Sequence, residues 1–181
     1  YTVAKADGAF YGPKIELHLD DSQGRDWQLG TAQLDLVMLS KQFNLFYINE
    51  KGQKQMPWVI HRAIFGSFER FIGMLLEHTD GNLSVWLAPV QAVVLNITDA
   101  QADYAKKIQK ELANAGVRAQ LNLDNATIGK KIREAEIQRI PYILVVGEKE
   151  EKSGTVSVRD KVMKLEEFLE KIKEKTSLRE I

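Results

Sequence analysis

The sequence predicts an α/β chain, α+β overall, in two parts. A strand-rich first half, 1–84, closes with a helix. A three-layer α/β unit with a mixed, largely parallel sheet follows, 85–181. Three observations carry that expectation. Residues 14–36 alternate polar and apolar side chains around a turn cluster, the period of half-buried antiparallel strands. Residues 68–76 set apolar side chains at helical spacing. From Trp86 onward, short apolar runs alternate with helical patterns across short joints, as in a sheet with helices on its faces.

The elements follow in order. YTVAKADGAFYG opens as a strand and has no initiating methionine, for which processing or trimming is one explanation and a chain cut from a larger protein the other. Lys14–Leu19 and Trp27–Leu36 form a hairpin across the turn cluster Asp20–Gly24, and Asn49–Gln53 marks a second turn. Phe68, Phe71, Ile72, Leu75 and Leu76 predict a buried helix, stopped by the polar and glycine residues of His78–Asn82. Gln91–Ile97 reads as a buried strand, and Thr98-Asp99 as the cap of a helix carrying Tyr104, Ile108 and Leu112 and ending at Gly116. Val117–Leu121 is the next strand. Ile128 and Ile132 mark a second helix that ends before Pro141. Tyr142–Val146 and Thr155–Arg159 are two further strands. Leu165, Phe168, Leu169 and Ile172 give a terminal helix its apolar face, and the mixed charges of Lys161–Glu180 belong to its solvated side.

Composition narrows the function. Of 181 residues 44% are hydrophobic, and 25 basic residues balance 25 acidic ones, so no bulk charge attracts nucleic acid; only a local basic patch would. The absence of cysteine excludes disulfides and thiolate zinc sites made by this chain alone. No apolar run approaches the roughly 20 residues of a membrane-spanning helix. The expectation is a soluble, cytoplasmic protein with no membrane partner.

The stretch HRAIFGSFERFIGMLLE carries the chemistry of the first half. Glu69 and Arg70 sit among apolar residues. One reading is a helix-surface ion pair. The other is an anion site: arginine among buried neighbours needs a negative partner, and Gly66-Ser67 lets a phosphate approach the backbone.

Here the residues resemble a known family. Apolar-Gly-Ser-apolar-Glu-Arg before an apolar helix is similar to the third signature motif of class II aminoacyl-tRNA synthetases. HRAIFGSFERFIG with WLAPVQ after it, DGAFYGPKIE at 7–16 and DWQLGTAQLDL at 26–36 resemble the threonyl-tRNA synthetase family. The second half resembles the anticodon-binding domain shared by the threonyl, prolyl, histidyl and glycyl enzymes.

The resemblance implies a threonine–tRNA ligase, with threonine and ATP (as its magnesium complex) as substrates and threonine transfer RNA as partner. It implies a partial antiparallel catalytic sheet with the motif-3 helix. Arg70 then contacts ATP phosphate, Gln28 and Ser67 line the ATP site, Tyr11 and Gln33 the threonine pocket, and Lys14 lies near the reacting carboxyl group. His61 matches a zinc-ligand position, where the metal holds threonine's amino and hydroxyl groups; His18 and His78 match none. Read singly, Gln28, Gln33 and Lys14 are also ordinary half-exposed strand residues, and Tyr11 a packed tyrosine. In the second half, Asn125, Arg133, Arg139, Glu150 and Arg159 match anticodon-reading positions, with Arg133 and Arg139 expected on the second helix beside Lys130 and Arg159 at the end of the fourth strand. A carboxylate accepts from guanine's amino and imino groups, and arginine donates to its acceptors; the middle base of threonine anticodons is guanine.

The chain also departs from the family. The two other signature motifs are not found, and neither are the other zinc ligands, a cysteine and a second histidine. The expectation is a C-terminal fragment of a homodimeric enzyme, inactive alone and without bound zinc. Two alternatives stand beside it: a free-standing, non-catalytic RNA-binding module, and a regulatory interaction protein.

Overall fold

The computed structural model describes residues 1–4, 8–159 and 161–179. Two compact units divide it, Tyr1–Asp80 and Gly81–Ile181. Among the described residues no helix is long and apolar enough to cross a membrane.

The first unit is built on an antiparallel sheet in the order β1 (Lys14–Asp20), β2 (Asp26–Asp35), and a later strand, β5, at Val59–Ala63. The Asp20–Gly24 turn joins β1 to β2 as the sequence predicts. A short helix, α1 (Met38–Gln42), follows β2; Asp35 Oδ1 accepts from the Val37 and Leu39 amides and so fixes its entry. The Asn49–Gln53 turn closes a small hairpin of β3 (Tyr47–Ile48) and β4 (Lys54–Gln55). The helix α2 (Phe68–His78) completes the unit, with the Ser67 hydroxyl accepting from Arg70 N as its N-cap.

Two expectations change here. Tyr1–Ala4 carry no strand, and Asp7 of the quoted motif lies outside the described residues. The apolar stripe of α2 is real but not buried: Phe68, Ile72 and Leu76 are exposed, and α2 contains no buried residue. Phe65 packs against it, its ring meeting those of Phe68 and Phe71 at 5.4 and 4.9 Å.

The second unit holds a five-stranded sheet. Its strands are β6 (Ala92–Asn96), β7 (Ala119–Asn122), β8 (Tyr142–Val146), β9 (Thr155–Val158) and β10 (Lys161–Lys164), in the order β10-β9-β8-β6-β7. β6 pairs in parallel with β7 and β8, and β9 and β10 add antiparallel. Helices α3 (Ala102–Asn114) and α6 (Leu165–Leu178) cover one face. There Val94, Leu144 and Val156 pack against Ile108, Leu112, Phe168 and Ile172. On the other face Val93 and Leu95 pack under α4 (Ile128–Ile137) through Ala135. The layers are helix, mixed sheet, helix, as predicted. β6 is buried at every position, as a central strand covered on both sides must be.

In the second unit the structure adds α5 (Glu148–Ser153) and β10 to the elements predicted from the sequence, as it adds α1, β3, β4 and β5 in the first. Thr98 does not cap a helix through its side chain; its hydroxyl donates to Gln101 Oε1 at 2.7 Å. Arg139 does not lie on α4. It stands beyond the helix end with φ 55°.

Candidate functional site

Strand pairing brings the first group of candidates together. Lys14 on β1 is paired with Gln33 on β2, and Gln33 with His61 on β5. Two residues along each strand, Glu16, Thr31 and Ala63 form a second row on the same face, because side chains alternate with period two. Gln28 would fall on the opposite face by that count. A bulge intervenes: Leu17 pairs with Gly30, but His18 pairs with Gln28, so Leu29 is the extra residue and the phase of β2 reverses beyond it. These residues, with Gly8, Ala9 and Tyr11, line a cavity of about 350 Å³. Tyr11, Lys14, Gln28, Gln33 and His61 thus share one cavity.

The bend that brings Tyr11 there depends on Gly12. A Cβ on Gly12 would lie 1.8 Å from the carbonyl oxygen of Leu34, an impossible contact, so only glycine lets this segment run so close to β2.

Glu16 organises the cavity floor. Its Oε1 accepts from Lys14 Nζ at 2.7 Å and from Gln28 Nε2 at 2.5 Å, and Gln28 Nε2 also reaches Thr31 Oγ1 at 3.0 Å. The hydrogen bond from Lys14 holds the Glu16 carboxyl below its ordinary range, against a smaller opposing effect of burial. The sequence reading passed over Glu16 and Thr31. Their signal was the period-two step from Lys14 and from Gln33.

Arg70 and Ser67 are not in the cavity wall. Arg70 is tied to a lining residue through its backbone: Nη1 donates to the carbonyl of Gln28 at 2.9 Å, and the guanidinium lies 5.7 Å from the Trp27 ring centroid. Glu69 and Arg70 are both exposed, so the ions of the FER stretch are not buried among apolar neighbours as the sequence suggested. Among the described residues no three His, Cys, Asp or Glu side chains gather as a metal site would require. With His61 as its single histidine and no cysteine, the cavity does not fit a zinc ion on its own.

The second group separates into two places. Arg139 and Arg159 line one cavity of about 870 Å³ with Tyr142, Lys161, Lys171 and Glu136, at the amino end of β8. Both arginines have left-handed backbones, φ 55° and 54°. Asn125 follows β7, and Glu150 follows β8 within α5, at the carboxyl ends of those parallel strands. The two ends of β8 are roughly 13 Å apart, from its length and a strand rise of about 3.3 Å. Arg133 is exposed partway along α4. Glu150 has a structural partner: its Oε2 accepts from the Gly147 amide at 3.0 Å, closing the start of α5.

A buried cation near the carboxyl ends was not foreseen. Lys131, 2% exposed, donates from Nζ to Asn96 Oδ1 at 2.8 Å and to Asn96 O at 3.3 Å. Asn96 Nδ2 donates in turn to Thr98 O, linking α4 to the loop after β6. A lysine within the helical pattern of α4 gave no sign of burial.

Comparison with known proteins bears on both units. The family model described as tRNA synthetase class II core domain (G, H, P, S and T) matches residues 2–79. The model described as Anticodon binding domain matches residues 91–175. A threonine–tRNA ligase of Clostridium botulinum (strain Loch Maree / Type A3) is 50% identical over 179 residues, 96% of this chain. One of Clostridium kluyveri is 49% identical over 180 residues, also 96% of this chain. The chain belongs to the threonyl-tRNA synthetase family. It spans 28% of the length of each of these relatives. The crystal structure of the RNA binding domain of threonyl-tRNA synthetase from Cryptosporidium parvum Iowa II is 42% identical, with a TM-score of 0.81. That match covers 93% of this chain and 44% of the other. Within the threonyl-tRNA synthetase family the antiparallel sheet with α2 corresponds to class II core sequence, and the mixed sheet to the anticodon-binding domain.

Proposed function

We propose that this chain is the part of a threonine–tRNA ligase that reads the anticodon through Gly81–Ile181 and supplies one wall of the ATP and threonine site through Tyr1–Asp80. The observation that carries the reading is convergence. Residues selected from separate segments, Tyr11, Lys14, Gln28, Gln33 and His61, line a single cavity.

In the complete homodimeric enzyme, threonine's carboxylate attacks the α-phosphate of magnesium-bound ATP, and pyrophosphate leaves. Negative charge grows on the phosphoryl oxygens in that step. Arg70, fixed by the Gln28 carbonyl, offers a permanent positive charge and further donors to it. Lys14, held by Glu16, stands where the reacting carboxylate would lie. Gln28 and Ser67 face ATP. Tyr11 and Gln33 face the amino acid and orient it with neutral hydrogen bonds. His61 would serve as one ligand of a zinc ion whose other ligands this chain does not supply, and zinc enters none of these steps. The activating centre needs groups beyond this chain, so the chain alone does not form threonyl adenylate. The proposed compartment is the cytoplasm, where its transfer RNA partner is charged.

In the second unit Glu150 accepts from the guanine at the middle of the anticodon, while Arg159, Arg139, Arg133 and Asn125 donate to bases and backbone. The test is a titration of the chain into a labelled threonine anticodon stem-loop, with the same RNA carrying a changed middle guanine, at one salt concentration. A preference of about tenfold, the size of one lost base contact at about 1–3 kcal/mol, supports the reading. Equal binding of the two RNAs overturns it and favours a non-catalytic module that has kept the fold without the recognition.

A further inference from the structure

Two cations of the Arg139–Arg159 cavity have no part in the reading above. Lys161 begins β10 and pairs across the turn with Val158, the last residue of β9. Lys171 reaches the same cavity from α6. Lys161, Lys171, Arg139 and Arg159 are all exposed side chains lining one concavity, and Glu136 is the acid among the described lining residues. Among the described lining residues four cations stand against one acid, an excess of positive charge in a chain whose formal net charge is zero. The field of the cavity is therefore set locally, and its sign is that of a polyanion site.

The four cations differ in kind. Arginine's planar fork can distinguish the acceptors of a base edge, whereas lysine's ammonium is a compact point charge suited to a phosphate of any nucleotide. Lys171 Nζ lies 5.8 Å from the centroid of the Tyr142 ring, which sets the ammonium against an aromatic wall of the cavity. Met163 and Val158 supply the apolar floor. At about 870 Å³ the cavity is far too large for one inorganic anion and falls in the range of about 300–1,000 Å³ typical of sites for organic ligands.

We propose that this cavity seats a sugar–phosphate stretch of the RNA loop, with Lys161 and Lys171 neutralising backbone phosphates while Arg139 and Arg159 face the bases. The proposal rests on the anticodon reading and adds two residues to it.

Lys161→Ala, Lys171→Ala and the double variant are titrated with the threonine anticodon stem-loop and its middle-guanine variant from about 50 to 200 mM salt. Each single substitution weakens both RNAs alike, by roughly threefold, and lowers the slope of log affinity against log salt by about 0.7. The preference between the two RNAs is unchanged. Glu136→Gln tightens both RNAs, a gain that misfolding cannot imitate, and thermal melts check that each variant is folded. Unchanged slopes, or a lost preference between the RNAs, overturn the phosphate assignment. An equal affinity of the wild-type chain for both RNAs sinks the anticodon reading instead, and a lysine-dependent slope under that outcome still upholds the phosphate contacts. No binding at all overturns both.

Discussion

Arg139 ends α4 with the same hydrogen-bond pattern with which Gly116 ends α3. Arg139 N donates to Glu136 O at 2.9 Å and Ile140 N to Ala135 O at 3.2 Å; Gly116 N donates to Ala113 O and Val117 N to Leu112 O, both at 3.0 Å. Both residues are left-handed, φ 55° and 82°, in the turn where glycine is usual. An arginine there carries a conformational cost of about 1 kcal/mol. Arg139→Gly should therefore leave the second unit about 1 kcal/mol more stable than Arg139→Ala, which keeps the left-handed cost and loses the same side chain, while RNA affinity falls in both. A glycine variant that melts no higher than the alanine variant would refute this account of the turn.

Lys131 and Asn96 form a buried pair with a different balance. Removing the ammonium strands two acceptors of a residue that is 1% exposed. Lys131→Met should cost about 1–3 kcal/mol, the penalty for leaving a buried polar group unsatisfied. Adding Asn96→Val removes the stranded side chain and should recover part of the loss. Chemical denaturation of the two variants measures both values, and strictly additive losses would show that the pair does not act as a unit.

Glu150 has two tasks assigned to it, and they separate by substitution. Glu150→Gln keeps an oxygen for the Gly147 amide but loses the charge, so stability should stay within about 0.5 kcal/mol while the preference for the middle guanine drops. Glu150→Ala removes the amide's partner as well and should cost about 0.5–2 kcal/mol. Equal melting temperatures for the two variants would show that the Gly147 contact contributes nothing to stability.

Asp21 makes the first unit sensitive to acid. Burial alone would raise its carboxyl, but hydrogen bonds from Trp27 Nε1, the Arg25 and Gln23 amides and the Arg25 guanidinium hold it far below its ordinary value of 3.8. A depressed carboxyl stabilises the fold above the unfolded value and loses that contribution as pH falls below it. The melting temperature of the first unit should fall progressively as pH drops below about 4. Asp21→Asn should flatten that dependence. An equally steep acid loss in the variant would place the sensitivity elsewhere.

The alternation of strand and helix in the second unit was legible because each element there carries its own hydrophobic period. Val93, Val94 and Leu95 form a continuous buried run, and Ile108 and Leu112 recur one helical turn apart. α5 went unseen because EKEEKS contains no apolar side chain, and β10 because KVMK buries only Met163. Arg139 was assigned to a helix because a left-handed turn occupied by arginine has no sequence signature. Phe68, Ile72 and Leu76 mark a helix correctly yet give no sign of whether anything covers them. The cavity of Lys14, Gln33 and His61 was legible only through family resemblance. Its members lie far apart in sequence, and no local period joins them.

Alignment between strands, rather than any one residue, is what the cavity stores. The bulge at Leu29 works as a phase shifter: upstream of it on β2 lies Gln28, downstream lie Thr31 and Gln33, and only the added residue turns all three to one side. Pairing the same residues without the bulge, with Leu29 rather than Gln28 opposite His18, would leave composition and charge untouched and the hairpin still able to form. It would also rotate Gln28 to the far face and take a donor from the wall that Lys14 and Glu16 share, so a frame error of one residue would disarm the site while every nominated side chain remained in the sequence.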